Sequence, residues 1–298
     1  MNQKMSKKNF VKTLFAEIIS IKCEQTDRDD SKRTILSIQK LFFEWLSPNK
    51  TLQRFNRADA IAFLDWYATR KVSAVSWNNR LAQMKWMFGE MVMRGLISVN
   101  PFQGIRKRFE IKKERAYLSE DDVTKIGKAL LEHHYWLFIA FILLYYAFIR
   151  PAELRRLRFS DFNLIDGYVH IRANVAKNKR SEFVTIPDYI LTYLRDVRFS
   201  GNPVNHYVFG KNFEPHATIL VSVNAMRQKF KRVTTDLGIT IGFYDMKDIG
   251  ITDMANDPNV SIFETSKQAR HRSTEMTMRY YRKDKVNPTV KKYGKKLF

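Results

Sequence analysis

Apolar residues recur along the first third of the chain with a helical period. Residues 9 to 22 place Phe10, Leu14, Ile18 and Ile21 on one face, and residues 31 to 46 repeat the spacing with Ile35, Ile38, Phe42 and Trp45. Asn56 is set to cap a third helix carrying Ile61, Leu64 and Tyr67. Ser76 is set to cap a fourth carrying Trp77, Leu81, Met84, Phe88 and Met91, and Gly95 ends it. Residues 1 to 102 therefore read as a small all-helical domain, which Asn100-Pro-Phe closes.

The remainder is mixed. Ser119 followed by Glu120, Asp121 and Asp122 is an N-cap with acids in the first turn. The uncharged run Tyr135 to Ile149 is only 15 residues long, short of the ~20 that cross a bilayer, and reads as a buried helix. Pro151 then suits a first helical position, with Leu154 and Leu157 facing inward. Asp166-Gly167 signals a turn into a strand from Tyr168 to Arg172, with Phe183 to Ile186 as its hairpin partner and Tyr207 to Phe209 as a third short strand. Val223, Met226, Phe230 and Val233 mark a helix ended by Gly238. Residues 243 to 254 read as a loop running into a helix, 262 to 268 as a short helix, and Ser273 as another helix start. The fold class is mostly α with a small β-sheet, divided into 1–102, a linker at 103–116, and an α+β domain at 117–298.

Composition narrows the partners. At 298 residues and 45% hydrophobic, the chain is long enough for two domains of ~150 residues. Lys and Arg number 52 against 30 acids, giving +22, which points to a polyanion, with nucleic acid foremost. The excess is distributed: residues 1–100 carry 17 basic and 9 acidic side chains, and residues 101–298 carry 35 and 21. Gln103 to Ala116 holds six basic and two acidic residues, so the linker, with Arg106, Lys107 and Arg108, is expected to lie on nucleic acid rather than pack in a core. The lone Cys23 excludes an intramolecular disulfide and a cysteine-based metal cluster within one chain. Met1 to Lys12 is polar and basic without an apolar core, so a secretory leader is not expected and the chain is read as cytoplasmic, with no membrane role.

Several side chains suit phosphate chemistry, and each has a plainer reading. Arg150, where a core helix meets a new one, can present a planar fork to a phosphate, or simply pair with Glu153. Asn79, Arg80 and Gln83 suit phosphates and base edges, or form a solvated helix face. Lys177 and Lys179 sit between the hairpin strands, where a lysine can reach a groove and give up a proton, or serve solubility alone. His271 is followed nine positions later by Tyr280, a potential nucleophile; alternatively Met276 and Tyr280 share a buried helix face and His271 is a surface residue.

In order along the chain, Arg150-Pro-Ala-Glu-Leu-Arg-Arg-Leu-Arg-Phe-Ser-Asp161, the hairpin lysine, Tyr244-Asp-Met-Lys247, Ala-Arg-His271 and Tyr280 resemble the tyrosine recombinases of the phage-integrase family. The N-terminal helices, with Asn79-Arg80-Leu and the Asn100-Pro-Phe exit, look like that family's core-binding domain. The resemblance implies a site-specific recombinase or integrase that cuts and rejoins DNA through a 3'-phosphotyrosyl bond, needing neither metal nor cofactor. It gives Arg150 as the first catalytic arginine, Lys177 as the hairpin lysine with Lys179 competing, His271 as the histidine, and Tyr280 as the nucleophile with Tyr281 competing. It further implies double-stranded DNA as partner, two protomers per crossover site, a tetramer during exchange, and an accessory DNA-bending or directionality protein. The chain departs from the family's His-x-x-Arg-His box: Tyr244 stands for the first histidine, Lys247 for the second arginine and Asp248 for the histidine that follows. A catalytically silent DNA-binding relative is the alternative these departures raise, and a helical RNA-binding protein is a more distant one. The basic tail after Tyr281, ending in Leu297 and Phe298, is expected to be disordered or to anchor on a neighbouring subunit.

Overall fold

The computed structural model describes residues 10–26, 29–111 and 117–281, with the backbone alone for residues 29 and 30. The expected tail lies outside the described residues. Two units divide the chain, residues 1–113 and 114–298.

The first unit is helical: α1 Val11–Glu24, α2 Asp29–Trp45, α3 Arg57–Thr69 and α4 Ala74–Met93. Its core is aromatic. Phe15, Phe42, Phe63, Phe88 and Phe102 are all fully buried, with Phe42 edge-on to Phe63 at 5.2 Å and Phe88 against Phe102 at 5.1 Å. Such pairs add to the area each ring removes from water. Asn56 caps α3 in a reciprocal box with Asp59. Inside that helix Phe63 rather than Ile61 faces the core, Ile61 being exposed. The fourth helix starts earlier than expected, because Ser73 Oγ accepts the Ser76 amide and leaves Ser76 in the first turn. At its end Gly95 takes a φ of +69°, which lets the Leu96 amide reach back to the Met91 carbonyl.

Over residues 103–110 the stretch expected to lie on nucleic acid is tied to this unit through its backbone, while Arg106, Lys107 and Arg108 stay exposed. Asn78 donates to the Arg108 carbonyl and accepts its amide, Lys85 reaches the Ile105 carbonyl, and Arg57 the Gln103 carbonyl. These are backbone groups that a free linker would leave to water. The buried Asn78 satisfies itself by pinning them.

The second unit begins with α5 Glu120–His133, capped by Ser119, and α6 Tyr135–Tyr145. Every residue from Leu137 to Leu144 is buried, which explains the uninterrupted apolar run. The helix stops short of Ile149, and Phe148 turns at φ +54° before Arg150 begins α7 Pro151–Leu154. Strands β1 Phe162–Asn163, β2 Tyr168–Ile171 and β3 Glu182–Thr185 form an antiparallel sheet in the order β1-β2-β3, with Val169 opposite Val184. The expected third strand at Tyr207 forms only isolated bridges to Arg158 and His216; the two residues of β1 take its place. After α8 Asp188–Leu194, α9 Val197–Ser200 and α10 Val223–Asp236 come α11 Asp245–Ala255, α12 Ile262–Gln268 and α13 Thr274–Met278. Only Thr277 of α13 is buried, so Met276 and Tyr280 do not share an interior face as the plainer reading supposed; Met276 is exposed.

Helix α11 crosses α6 at Gly250, where an added Cβ would sit 1.9 Å from the Tyr145 carbonyl oxygen. Backbone cannot yield there as a flexible side chain would. Gly250→Ala is therefore expected to cost at least the ~1–3 kcal/mol of an overpacked core, read as a drop of several degrees in the thermal unfolding midpoint. An unchanged midpoint would show that the two helices are not held this close.

Candidate active site

The elements that meet around α11 carry a concentration of charge that a core does not ordinarily tolerate. Its centre is Glu153 on α7, whose side chain is 1% exposed. Glu153 Oε1 accepts from Arg150 Nη1 and from the Lys177 amide, both at 3.1 Å, while Oε2 accepts from the Arg150 amide at 3.1 Å and from Arg270 Nη2 at 2.5 Å. Arg270 also pairs with Glu182 of β3 at 3.3 Å. Burial by itself would raise the Glu153 pKa, but Arg270, Arg150 and the Lys177 amide together hold it below the usual carboxylate range. One ionised carboxylate thus fastens the first arginine, the turn before β3 and the segment before His271.

Lys247, in the first turn of α11, is 3% exposed, and among the described residues its ammonium nitrogen has no hydrogen-bond partner. It lies 5.5 Å from the centre of the Phe148 ring. Burial, and then the neighbouring charges of Arg150 and Arg270, push its pKa down to about 7. An orphaned buried ammonium beside two guanidinium groups is a site prepared for an anion. In the free protein it is a cost. Because the unfolded chain holds this proton up to the ordinary value near 10.5, the unfolded state binds more protons above pH 7. Stability from this residue therefore rises by about 2 kcal/mol between pH 7 and 9, and the penalty is full below about 7. Lys247→Met is expected to raise the unfolding midpoint at pH 7 and flatten that rise, in denaturant titrations across the range; parallel pH profiles for the two proteins would refute it.

Tyr280 follows α13. Its hydroxyl donates to Asp248 Oδ1 at 2.9 Å, its ring packs on Phe148, Ile251 and Ala269, and its carbonyl accepts from Asn256. The His271 ring stacks on it, centroids 5.5 Å apart and 23° from parallel, while His271 Nδ1 meets Thr277 Oγ1 at 2.8 Å. Tyr281, 43% exposed, shares none of these contacts. Tyr244, 44% exposed, has its hydroxyl against the Arg150 guanidinium; burial raises its pKa against that charge. Lys177 is exposed beside its anchored amide, and Lys179 is exposed at a φ of +59°. A cleft of about 770 Å³ alongside is lined by Arg180, Lys267, Arg270, His271 and Arg272 among others.

Tyr244 meets Arg150, Lys247 feels the charges of Arg150 and Arg270, His271 stacks on Tyr280, whose hydroxyl reaches Asp248 beside Lys247, and Lys177 is tied to Arg150 through Glu153. The first unit's residues divide. Asn79, Arg106, Lys107 and Arg108 are exposed, with Arg108 also over the Trp77 ring at 4.5 Å, and Gln83 is half-buried. Arg80 points inward over the Tyr67 ring at 5.3 Å, which removes it from the exposed face it was expected to share with Asn79. Sequence reasoning missed Arg270. Its neighbour His271 was the only signal, and nothing in local spacing shows that a φ of +55° turns its side chain inward. Phe148 and Arg270, both non-glycine residues at positive φ, flank the charge cluster, where such strain is commonly stored. Among the described residues no group of three His, Cys, Asp or Glu side chains is disposed to hold a metal ion, and no helix is long and apolar enough to cross a membrane.

A helical unit followed by a mostly helical unit with a small three-stranded antiparallel sheet matches known integrases in fold. The family model described as "Phage integrase family" matches residues 116–286, and the chain belongs to that family. A tyrosine recombinase of Thermosipho africanus is 25% identical over 183 residues, 59% of this chain and 64% of that protein. Tyrosine recombinase XerC of Xylella fastidiosa is 28% identical over 198 residues, 62% of this chain and 61% of its own length. The chain thus spans just under two thirds of the length of these curated relatives. Among solved structures, a lambda integrase dimer bound to a COC' core site aligns with a TM-score of 0.75 at 17% identity, covering 95% of this chain and 82% of that one. The Tn1549 transposon integrase in complex with a circular intermediate DNA aligns at 0.74 and 14%, covering 95% and 98%. These likenesses establish the fold.

Proposed function

We propose that the protein is a site-specific DNA recombinase that cuts and rejoins duplex DNA through a 3'-phosphotyrosyl intermediate on Tyr280. The observation that carries this is the buried, unpartnered Lys247 ammonium beside Arg150 and Arg270, one residue along from the carboxylate that holds the Tyr280 hydroxyl. A phosphodiester entering there would supply the missing acceptor and draw the Lys247 pKa back up.

Arg150, Lys247 and His271 hold the non-bridging oxygens as charge builds in the transition state, and Tyr244 adds a hydrogen bond. Lys177 protonates the departing 5'-oxygen, a role supported over Lys179 by the tie of its amide to Glu153. Tyr280 is favoured over Tyr281 by its contacts with His271 and Asp248. Bond energy is conserved in the protein–DNA linkage, so rejoining needs no external energy source. The exposed Asn79, Arg106, Lys107 and Arg108 of the first unit supply phosphate and base contacts. Lambda integrase has been seen as a dimer on a core site and as a tetramer on a Holliday junction. For this chain the corresponding reading is two protomers per crossover site and four in the exchange complex, aided by an accessory DNA-bending or directionality protein and acting in the cytoplasm. A suicide DNA substrate, nicked so that the released fragment diffuses away, is expected to accumulate protein covalently joined to DNA. Binding without any adduct would leave the silent DNA-binding relative, which Lys247 and Asp248 in place of arginine and histidine would then explain.

A further inference from the structure

We propose that Asp248 is the base that accepts the Tyr280 proton as the DNA strand is cut, a role that rests on the recombinase reading above. The phenol of a tyrosine has an ordinary pKa of ~10, so at pH 7 only about one in a thousand is ionised and attack on phosphorus needs an acceptor for the proton. Asp248 Oδ1 already takes a hydrogen bond from that hydroxyl at 2.9 Å. Both partners are held in place. Asp248 stands in the first turn of α11, where the free amides favour a negative charge, and Tyr280 is fixed by its ring contacts and by Asn256.

His271 is the obvious rival, and its geometry suits another task. A proton is taken through an in-plane nitrogen, whereas the His271 ring lies against the Tyr280 ring within 23° of parallel, its Nδ1 engaged with Thr277. Stacking of this kind orients the phenol. Lys247, beside Asp248 on the same helix, feels the charge of its carboxylate, as does Tyr244.

The step balances without any outside reagent. As the phenolic oxygen bonds to phosphorus, its proton passes to Asp248; the bond from phosphorus to the 5'-oxygen breaks, and that oxygen takes a proton from Lys177. In rejoining, a 5'-hydroxyl attacks the phosphotyrosine, returns its proton to Lys177, and Asp248 hands its own back to the departing Tyr280.

The test is single-turnover cleavage of the suicide substrate by the full chain from pH 6 to 9, with DNA affinity and thermal midpoint measured alongside. Asp248→Asn keeps the shape and a hydrogen-bond acceptor but cannot take up a proton. It is expected to bind DNA as the parent does and to cleave about 10²- to 10⁴-fold more slowly, with the deficit shrinking as rising pH lets hydroxide remove the proton instead. Asp248→Glu restores a carboxylate and should recover part of the rate, while Asp248→Gln should not. Cleavage by Asp248→Asn at or above the parent rate overturns the proposal, the latter making Asp248 a restraint on the tyrosine. A deficit constant across pH, or Gln equal to Glu, overturns it as well. If the parent protein itself forms no adduct, the recombinase reading has failed, and that outcome is visible before any variant is compared.

Discussion

Tyr280→Phe protein is expected to form no covalent complex with a suicide substrate while retaining DNA affinity. The substitution removes one oxygen and leaves the ring, so stacking on His271 and packing on Phe148, Ile251 and Ala269 persist. What is lost structurally is one hydrogen bond to the Asp248 carboxylate, worth ~1.5–3 kcal/mol for a bond to a charged group. DNA affinity is expected to come from many phosphate contacts spread over a strongly basic chain, none of which the hydroxyl would supply. Loss of the adduct with intact binding therefore isolates chemistry from recognition. Denaturing gels after reaction with labelled DNA read it directly, with Tyr281→Phe as the parallel control. An adduct that survives in Tyr280→Phe and vanishes in Tyr281→Phe moves the nucleophile one position along.

The second large effect is at Arg150. Arg150→Ala is expected to slow cleavage ~10²- to 10³-fold, the usual cost of removing one donor to a developing oxyanion, with DNA affinity nearly unchanged. The plainer role, an ion pair with Glu153, is present in the structure at 3.1 Å. It does not exclude the catalytic one, because an arginine that faces a phosphate must be held from behind, and Glu153 does this while also holding Arg270 and the Lys177 amide. Arg150→Lys discriminates further: it keeps the charge and loses the two-pronged donor, so partial recovery measures the share of geometry against charge. Comparable losses of cleavage and of affinity would make Arg150 a structural residue only.

Much of the second unit could be read from local pattern. Ser119 caps where expected, Gly167 and Gly238 take the positive φ their turns require, and the short helix over residues 262–268 is observed as Ile262–Gln268. The misreadings have physical causes. Ser73 and Ser76 are both cap-type residues, and it is Ser73 that takes the extended N-cap conformation and accepts the Ser76 amide. The charge of residues 103–110, which suggested a segment lying on nucleic acid, says nothing of their backbone, which Asn78, Lys85 and Arg57 claim. Arg80 and Asn79 are adjacent, so they stand about 100° apart around a helix, and burial of one says nothing of the other.

Periodicity, turn chemistry and the ordered series Arg150, Lys177, Tyr244, Lys247, His271 and Tyr280 sufficed for the fold class and the family, because both are written in short-range spacing and residue type. Packing alone decided that Glu153 ties three segments together, that Arg270 turns inward, that Lys247 is left with an unsatisfied charge, and that Asp248 receives the Tyr280 hydroxyl. Those contacts join residues up to 117 positions apart. Their energies depend on how much water the surrounding core removes, a quantity that no linear spacing encodes.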